Sequence, residues 1–162
     1  MRVVVVGASS GIGRSIGLGL AKEGAQVAFL ARRRERLEEA AAEAGAGSVP
    51  IVCDVTDESS VTDAIGEAAA ALGGIDGLVY ATALGQMGPL EDVDAATWGA
   101  LFATNVTGAA LVTAAALPHL AASQGAGIYL SSISASLTPS WPLIGAYAVS
   151  YTHLTLPTKR IV

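Results

Sequence analysis

Fixed charge is what this sequence has least of. Asp, Glu, Lys and Arg make up 14% of its 162 residues, and aromatic residues only 5%. The lone Cys53 excludes an intrachain disulfide framework and a multi-cysteine metal module, and no metal site is expected. No Lys or Arg occurs between Leu37 and Thr158, and the last acidic residue is Asp94, so residues 95–158 carry no fixed charge. The basic residues gather at or before Arg36, apart from Lys159 and Arg160. A net charge of −5 argues against a nucleic-acid or anionic-membrane partner. What the chain has in excess is small and apolar, with 52% hydrophobic residues and 19 Gly. Such a composition is the reverse of a disordered one. The uncharged stretch must therefore be buried, either in lipid or in protein. A membrane span needs about 20 mainly apolar residues. The best window, 99–122, is broken by Thr104, Asn105, Thr107, Thr113, Pro118 and His119. Met1-Arg2 runs straight into four valines with no signal-peptide core. These features predict a soluble, cytoplasmic protein.

Periodicity predicts alternating strands and helices. Val3–Val6 reads as a buried strand, Ile12–Glu23 as a helix stopped by Gly24, and Gln26–Ala31 as a second strand. Arg33–Ala44 is a run of strong helix formers, and Val49–Cys53 a third strand. Thr56 or Asp57 can cap a helix over 58–72. Ile75–Tyr80, Thr97–Leu117 and Gly127–Ser131 complete the series as strand, helix and strand. Alternation at this spacing predicts one α/β domain, a doubly wound parallel sheet with helices on both faces. The 97–117 helix is small or apolar nearly all round, so it can cover the sheet and a second subunit at once. His119 fits a helix C-terminus better than a ligand role, and Trp98 and Trp141 read as packing residues.

Gly7-Ala8-Ser9-Ser10-Gly11-Ile12-Gly13 lies between the first strand and the first helix. Glycines alone make only a tight turn. In this context they let the backbone approach a pyrophosphate, whose charge the helix N-terminus favours. Gly7, Ser9, Ser10, Gly11, Ile12 and Gly13 are therefore candidate cofactor contacts.

The spacing G-x-x-x-G-x-G resembles the first loop of the short-chain dehydrogenase/reductase family, and the resemblance covers about residues 1–148. It implies a Rossmann-type fold with strand order 3-2-1-4-5 and hydride transfer between a nicotinamide cofactor and an alcohol or carbonyl substrate. At the end of the second strand an acidic residue would bind the ribose hydroxyls of NAD. Arg32 offers instead a cationic fork suited to phosphate, which favours NADP(H) and leaves NAD(H) as the alternative. Arg33, Arg34 and Arg36 read as a solvated helix start. Asp54-Val55 matches the family's adenine contact, and Ala81 lies where the family has Asn-Asn-Ala-Gly, here Tyr80-Ala81-Thr82-Ala83. That departure leaves mainly backbone contacts to the cofactor at this point.

The same resemblance implies a catalytic set of Asn105 as relay residue, Ser132 as carbonyl partner and Tyr147 as general acid–base. Ser132 precedes Tyr147 by 15 positions where 13 is usual, which is assigned to an expansion around Pro139–Pro142; Ser134, at 13, is the alternative. The family's lysine position, one helical turn after the tyrosine, holds Tyr151. Composition breaks after Ala148, and 149–162 resembles translated read-through of a sequencing adaptor. The expectation is an incomplete NAD(P)-binding domain over 1–148 followed by a non-native tail. Such a chain would be an inactive fragment of a homo-oligomeric parent, joined through the 97–117 helix. A non-catalytic nucleotide-binding module is the alternative function. A methyltransferase is disfavoured by the glycine spacing and the Ser/Tyr pair.

Overall fold

Four consecutive valines suit a strand whose two faces are both covered, because β-branched side chains fill a pleated, buried surface. In a computed structural model, which describes residues 1–135 and 143–152, that strand is the centre of the fold. The expansion at 139–142, Trp141 and the tail from His153 onward lie outside the described residues. Strands β1 (Arg2–Val6), β2 (Gln26–Ala31), β3 (Val49–Val52), β4 (Gly77–Tyr80) and β5 (Ala126–Tyr129) pair in parallel in the order β3-β2-β1-β4-β5. Val4 of β1 stands opposite Ala28 on one side and Leu78 on the other. Helices α1 (Gly11–Lys22) and α2 (Arg34–Ala44) cover the face carrying Val3, Val5, Val27, Phe29 and Val79. Alternate residues Val4, Leu30 and Leu78 are equally buried and point the other way, towards α3 (Glu58–Leu72) and α5 (Gly108–Ser123). The doubly wound parallel sheet expected from the alternation, and the Rossmann-type strand order implied by the family resemblance, are the observed ones.

Element ends shift where tertiary contacts decide them. Asp57 caps α3, its carboxylate accepting from Ser59 N at 2.9 Å and Ser60 N at 3.3 Å. Thr56 turns instead to Asp54. Strand β4 starts at Gly77 and not at Ile75, because Asp76 is bound to the start of β1. Strand β5 runs over Ala126–Tyr129, short of the expected Ser131. The helix expected over 97–117 is longer and interrupted: α4 (Ala95–Phe102), a π-helical turn (Ala103–Thr107), then α5. Asp94 starts it by accepting from Thr97 N at 2.8 Å. Ala95–Ser123 is long and apolar enough to cross a membrane. Its α5 part packs on β4, β5 and α3, the place of a crossover helix in this fold. Trp98 packs against Phe102 with the rings tilted by 45° and their centres 6.1 Å apart, a packing role as expected. His119 lies in the last turns of α5.

Contacts divide the chain into two compact units, Met1–Thr82 with Gly108–Leu130, and Ala83–Thr107 with Ser131 onward. The first contains the whole sheet.

Two contacts within the first unit make the fold testable. Gly17 in α1 faces Phe29, which is fully buried, and a Cβ at Gly17 would strike the ring. Alanine is favoured over glycine in a helix by about 1 kcal/mol. Overpacking a rigid core costs about 1–3 kcal/mol, so Gly17→Ala should lower the unfolding free energy in denaturant titration. At the other end of β1, Arg2 donates from its backbone N (2.8 Å) and from Nε (3.1 Å) to the Asp76 carboxylate. These bonds from the Arg2 side chain and backbone hold the Asp76 pKa at about 2. A depressed carboxylate pKa stabilises the fold above the ordinary value, and that contribution is lost as pH falls through about 2. Asp76→Asn should be less stable than the parent chain at pH 6, with the two denaturation curves converging near pH 2.

Candidate active site

The glycine loop is held by backbone bonds to the neighbouring strand. Gly7 N and Ala8 N both donate to Leu30 O, at 2.8 and 3.1 Å. Gly7 adopts φ +86, and a Cβ there would lie 2.7 Å from the Ala81 backbone. A Cβ on Gly13 would lie 2.5 Å from Gly7 O. These two glycines are therefore steric requirements of the crossing of β1, α1 and the chain leaving β4. Gly11 differs: at φ +57 a Cβ would meet nothing within 4 Å. It borders open space at the first turn of α1, where helix N–H groups have no intrahelical acceptor. Ser10 is the N-cap residue, yet its side chain caps nothing. An open, N–H-lined cradle of this kind fits a pyrophosphate.

The basic residues after β2 separate in space. Arg34 pairs with Glu38 at 3.9 Å and Arg36 with Glu39 at 3.4 Å, the solvated face expected of them. Arg33 departs from that expectation. Its Nη2 donates to Ser9 Oγ at 2.9 Å and Ser10 Oγ at 2.8 Å, on the glycine loop. The sequence signal was there to be read: Arg34 has Glu38 at i+4 and Arg36 has Glu39 at i+3, whereas Arg33 has Arg36 and Leu37. Arg32 lies in the field of Asp54. The Asp54 carboxyl is held below its ordinary range chiefly by Thr56, whose N–H and hydroxyl donate at 3.0 and 2.7 Å, and to a lesser extent by Arg32. Val55 is buried and packs beside Gly108, where a Cβ would come within 3.0 Å of it. Ala81 N donates to Val6 O at 2.9 Å, which fixes the chain after β4 on the end of β1. Cys53 is buried and its thiol is pushed up to about 11, first by burial and then by Asp54, which leaves it unreactive at neutral pH.

The second unit contains the expected acid–base residues. Asn105 is buried in the π-helical turn, a local irregularity that often marks functional positions. Its Oδ1 accepts from Leu84 N at 2.7 Å, and its Nδ2 donates to Leu84 O at 3.0 Å and to Ser150 Oγ at 2.9 Å. Ser150, fully buried, donates in turn to Tyr147 O at 2.8 Å. Asn105 and the Tyr147 backbone are thus joined through one serine that the sequence reading passed over. The signal for it was a hydroxyl in an otherwise apolar segment. Ser132 and Ser134 share a 2.7 Å hydrogen bond, with Ser134 the buried member. Their turn packs on α6 (Gly145–Tyr151), but among the described residues no hydrogen bond joins either serine to the Tyr147 phenol. That phenol sits edge-on to Tyr151, with ring centres 4.9 Å apart. Burial raises the Tyr151 pKa, and Tyr147 raises it further.

A parallel sheet ordered 3-2-1-4-5 with a glycine cradle after its first strand defines a Rossmann-type nucleotide-binding domain. The comparisons narrow this to one family. The family model described as short chain dehydrogenase matches residues 1–155, and the chain belongs to that family. A short chain dehydrogenase of Pseudocercospora fijiensis is 37% identical over 156 residues, 91% of this chain and 49% of its own length. An alcohol dehydrogenase from the archaeon Thermococcus sibiricus, solved with 5-hydroxy-NADP, superposes with a TM-score of 0.87 at 27% identity, covering 93% of this chain and 65% of that one. A 3-ketoacyl-(acyl-carrier-protein) reductase from Brucella melitensis, solved with NADH, shares the fold with a TM-score of 0.88 at 24% identity over 94% of this chain and 64% of that one. The chain spans about half the length of the curated relatives it matches.

Truncating Asn105 leaves Leu84 N–H, Leu84 C=O and Ser150 Oγ short of a partner. A buried group deprived of its partner costs about 1–3 kcal/mol. Asn105→Ala should lower stability by that order and speed amide exchange at Leu84, as followed by denaturation and hydrogen-exchange mass spectrometry.

Proposed function

We propose that this chain is the nucleotide-binding part of an NADP(H)-dependent oxidoreductase that interconverts an alcohol and a ketone or aldehyde. The observation that carries the reading is a cationic rim where a carboxylate would select NAD: Arg32 and Arg33 follow β2, and Arg33 reaches the glycine loop. Arginine matches a 2′-phosphate by charge and by fork geometry. Backbone N–H groups at Gly11, Ile12 and Gly13, with the hydroxyls of Ser9 and Ser10, hold the pyrophosphate, and Asp54, Val55 and Ala81 border the adenosine. When bound, the nicotinamide supplies or accepts the hydride. Tyr147 holds the proton exchanged with the substrate oxygen, and Ser132 donates a hydrogen bond to that same oxygen, with Ser134 as the alternative. Asn105, held by both backbone groups of Leu84, serves the proton relay.

The lysine that would lower the tyrosine pKa by its charge is replaced at position 151 by a buried tyrosine. A phenol of ordinary pKa near 10 is a poor acid–base group at neutral pH. We therefore infer negligible turnover for the chain as it stands. The composition break after Ala148 supports 1–148 as the native part of the domain and 149–162 as foreign to it. Leu117, half exposed on α5, supports homo-oligomerisation of the parent enzyme through this helix; the net charge of −5 supports the absence of nucleic-acid and anionic-membrane partners, and the polar residues within 99–122 support a cytoplasmic setting.

The second reading, a non-catalytic nucleotide-binding module, is favoured by Tyr80-Ala81-Thr82-Ala83 and Tyr151. One set of measurements separates the two. Titration of the chain should show NADPH binding more tightly than NADH, with no carbonyl-dependent oxidation of NADPH. Replacing 149–162 with the parent's own continuation should bring a lysine to position 151 and a measurable rate across a panel of ketones and aldehydes. Binding without any rate in that restored chain supports the module. Failure to bind either nucleotide overturns both readings.

A further inference from the structure

We propose that the outer edge of β5 docks a second copy of this chain, the two β5 strands pairing antiparallel across a two-fold axis at Ile128. The inference is independent of the cofactor reading above and of the α5 contact inferred for the parent enzyme.

The two edges of the sheet are built differently. Strand β3 ends the sheet on one side, and Cys53 N donates to Ala31 O at 2.9 Å. Alternation along the strand then turns the nitrogen of Pro50 to the outer side, where it has no proton to offer. A proline so placed blunts an edge against further pairing. Strand β5 ends the sheet on the other side, with β4 as its one strand partner among the described residues. Ala126 N donates to Asp76 O at 3.2 Å and Leu130 N to Tyr80 O at 3.0 Å, both inward. The backbone N–H and C=O groups of Gly127 and Tyr129 therefore face outward. Neither proline nor a charged residue occurs in β5 to blunt it.

The side chains leave the same edge bare. On one face of the strand Tyr129 is tied to α5, its hydroxyl 2.6 Å from Thr113 Oγ1. On the opposite face Ile128 is 61% exposed, although Val79 beside it on β4 is buried. Outward backbone groups and an uncovered β-branched side chain thus coincide.

A second copy matches this edge. Antiparallel pairing about Ile128 sets Gly127 opposite Tyr129 of the second copy, and Tyr129 opposite Gly127 of the second copy. Each of these pairs exchanges both its backbone hydrogen bonds. The two Ile128 side chains then meet at the closer, non-hydrogen-bonded position between them. A two-fold contact sets each group against its own kind, so a charge there would repel itself. Residues 95–158 carry no fixed charge, which removes that repulsion and leaves an acidic or basic partner nothing to pair with. The closed arrangement stops at two copies. One short strand buries much less than the roughly 1,200–2,000 Å² of a stable interface, so the dimer is weak and forms with rising concentration.

The test is sedimentation velocity of the full chain over a concentration series, with hydrogen exchange resolved to single amides. The parent chain should pass from monomer to dimer. Gly127 and Tyr129 amides should gain protection over the same range, while Ile128, paired inward with β4, stays protected throughout. Ile128→Lys sets two cations face to face and should weaken dimerisation by about tenfold or more. Ile128→Thr keeps a β-branched strand residue and should weaken it less, with the monomer's melting temperature unchanged. Val52→Lys, on the β3 edge, should leave dimerisation as it is. The proposal is overturned if the parent chain stays monomeric, or if Gly127 and Tyr129 are protected at every concentration, which would mean that the chain covers its own edge. Growth beyond the dimer would overturn the closed two-fold pairing. So would a dimer lost in Leu117→Lys and kept in Ile128→Lys, which would place the contact on α5.

Discussion

At the C-terminal end of β1 three backbones meet with no space for a side chain between them, and the glycine cradle depends on that crossing. Gly7 lies against Ala81, and Gly13 lies against Gly7. The contact brings the first turn of α1 over the end of the sheet, in line with the strand that feeds it. Side chains on Gly7 or Gly13 would push the helix away and take its N–H groups with it. Gly11, beside them, has the opposite requirement: it leaves space open. One short loop thus uses glycine for two purposes, close packing on its inner side and access on its outer side.

Much of the fold could be read from the chain because the local signals agree with one another. Val3–Val6 is too β-branched to be a helix and too apolar to be exposed. Asp57 stands one residue before a helical run, and Gly24 one residue after another. What escaped reading depends on residues far apart in sequence. The π-helical turn at Ala103–Thr107 has no local signature beyond an asparagine among small residues. Its partners Leu84 and Ser150 lie 21 and 45 positions away. Arg33 was misread because Arg33, Arg34 and Arg36 together suggest one solvated helix start, and only the positions of Glu38 and Glu39 tell them apart. The end of β4 nearer Ile75 was misjudged because Asp76 is held by Arg2, an interaction invisible to periodicity.

The second unit shows what can be kept when a charged group is absent. Asn105, Ser150 and the backbone of Tyr147 form a satisfied chain of hydrogen bonds that needs no cation to hold it. Position 151 is then occupied by an aromatic ring packed edge-on against Tyr147. Such a pair contributes packing of the kind found in any core. It stabilises α6 as a structural element, whereas an ammonium at the same position would act on the phenol through its field.

The all-parallel ladder has a kinetic consequence. A two-residue turn can join antiparallel strands, but parallel strands need a crossover between them. No strand pair in this sheet can begin as a hairpin. Arg2 must find Gln26, Ala28 must find Val49, and Val3 must find Gly77 across intervening helices. The central strand is thus completed only after the longest of these closures, and each closure loses chain entropy before its contacts form. During that search the valines of β1 stand exposed. A chain of this design folds more slowly than a helical bundle of equal length, and its most apolar strand is also the one that waits longest for its second neighbour.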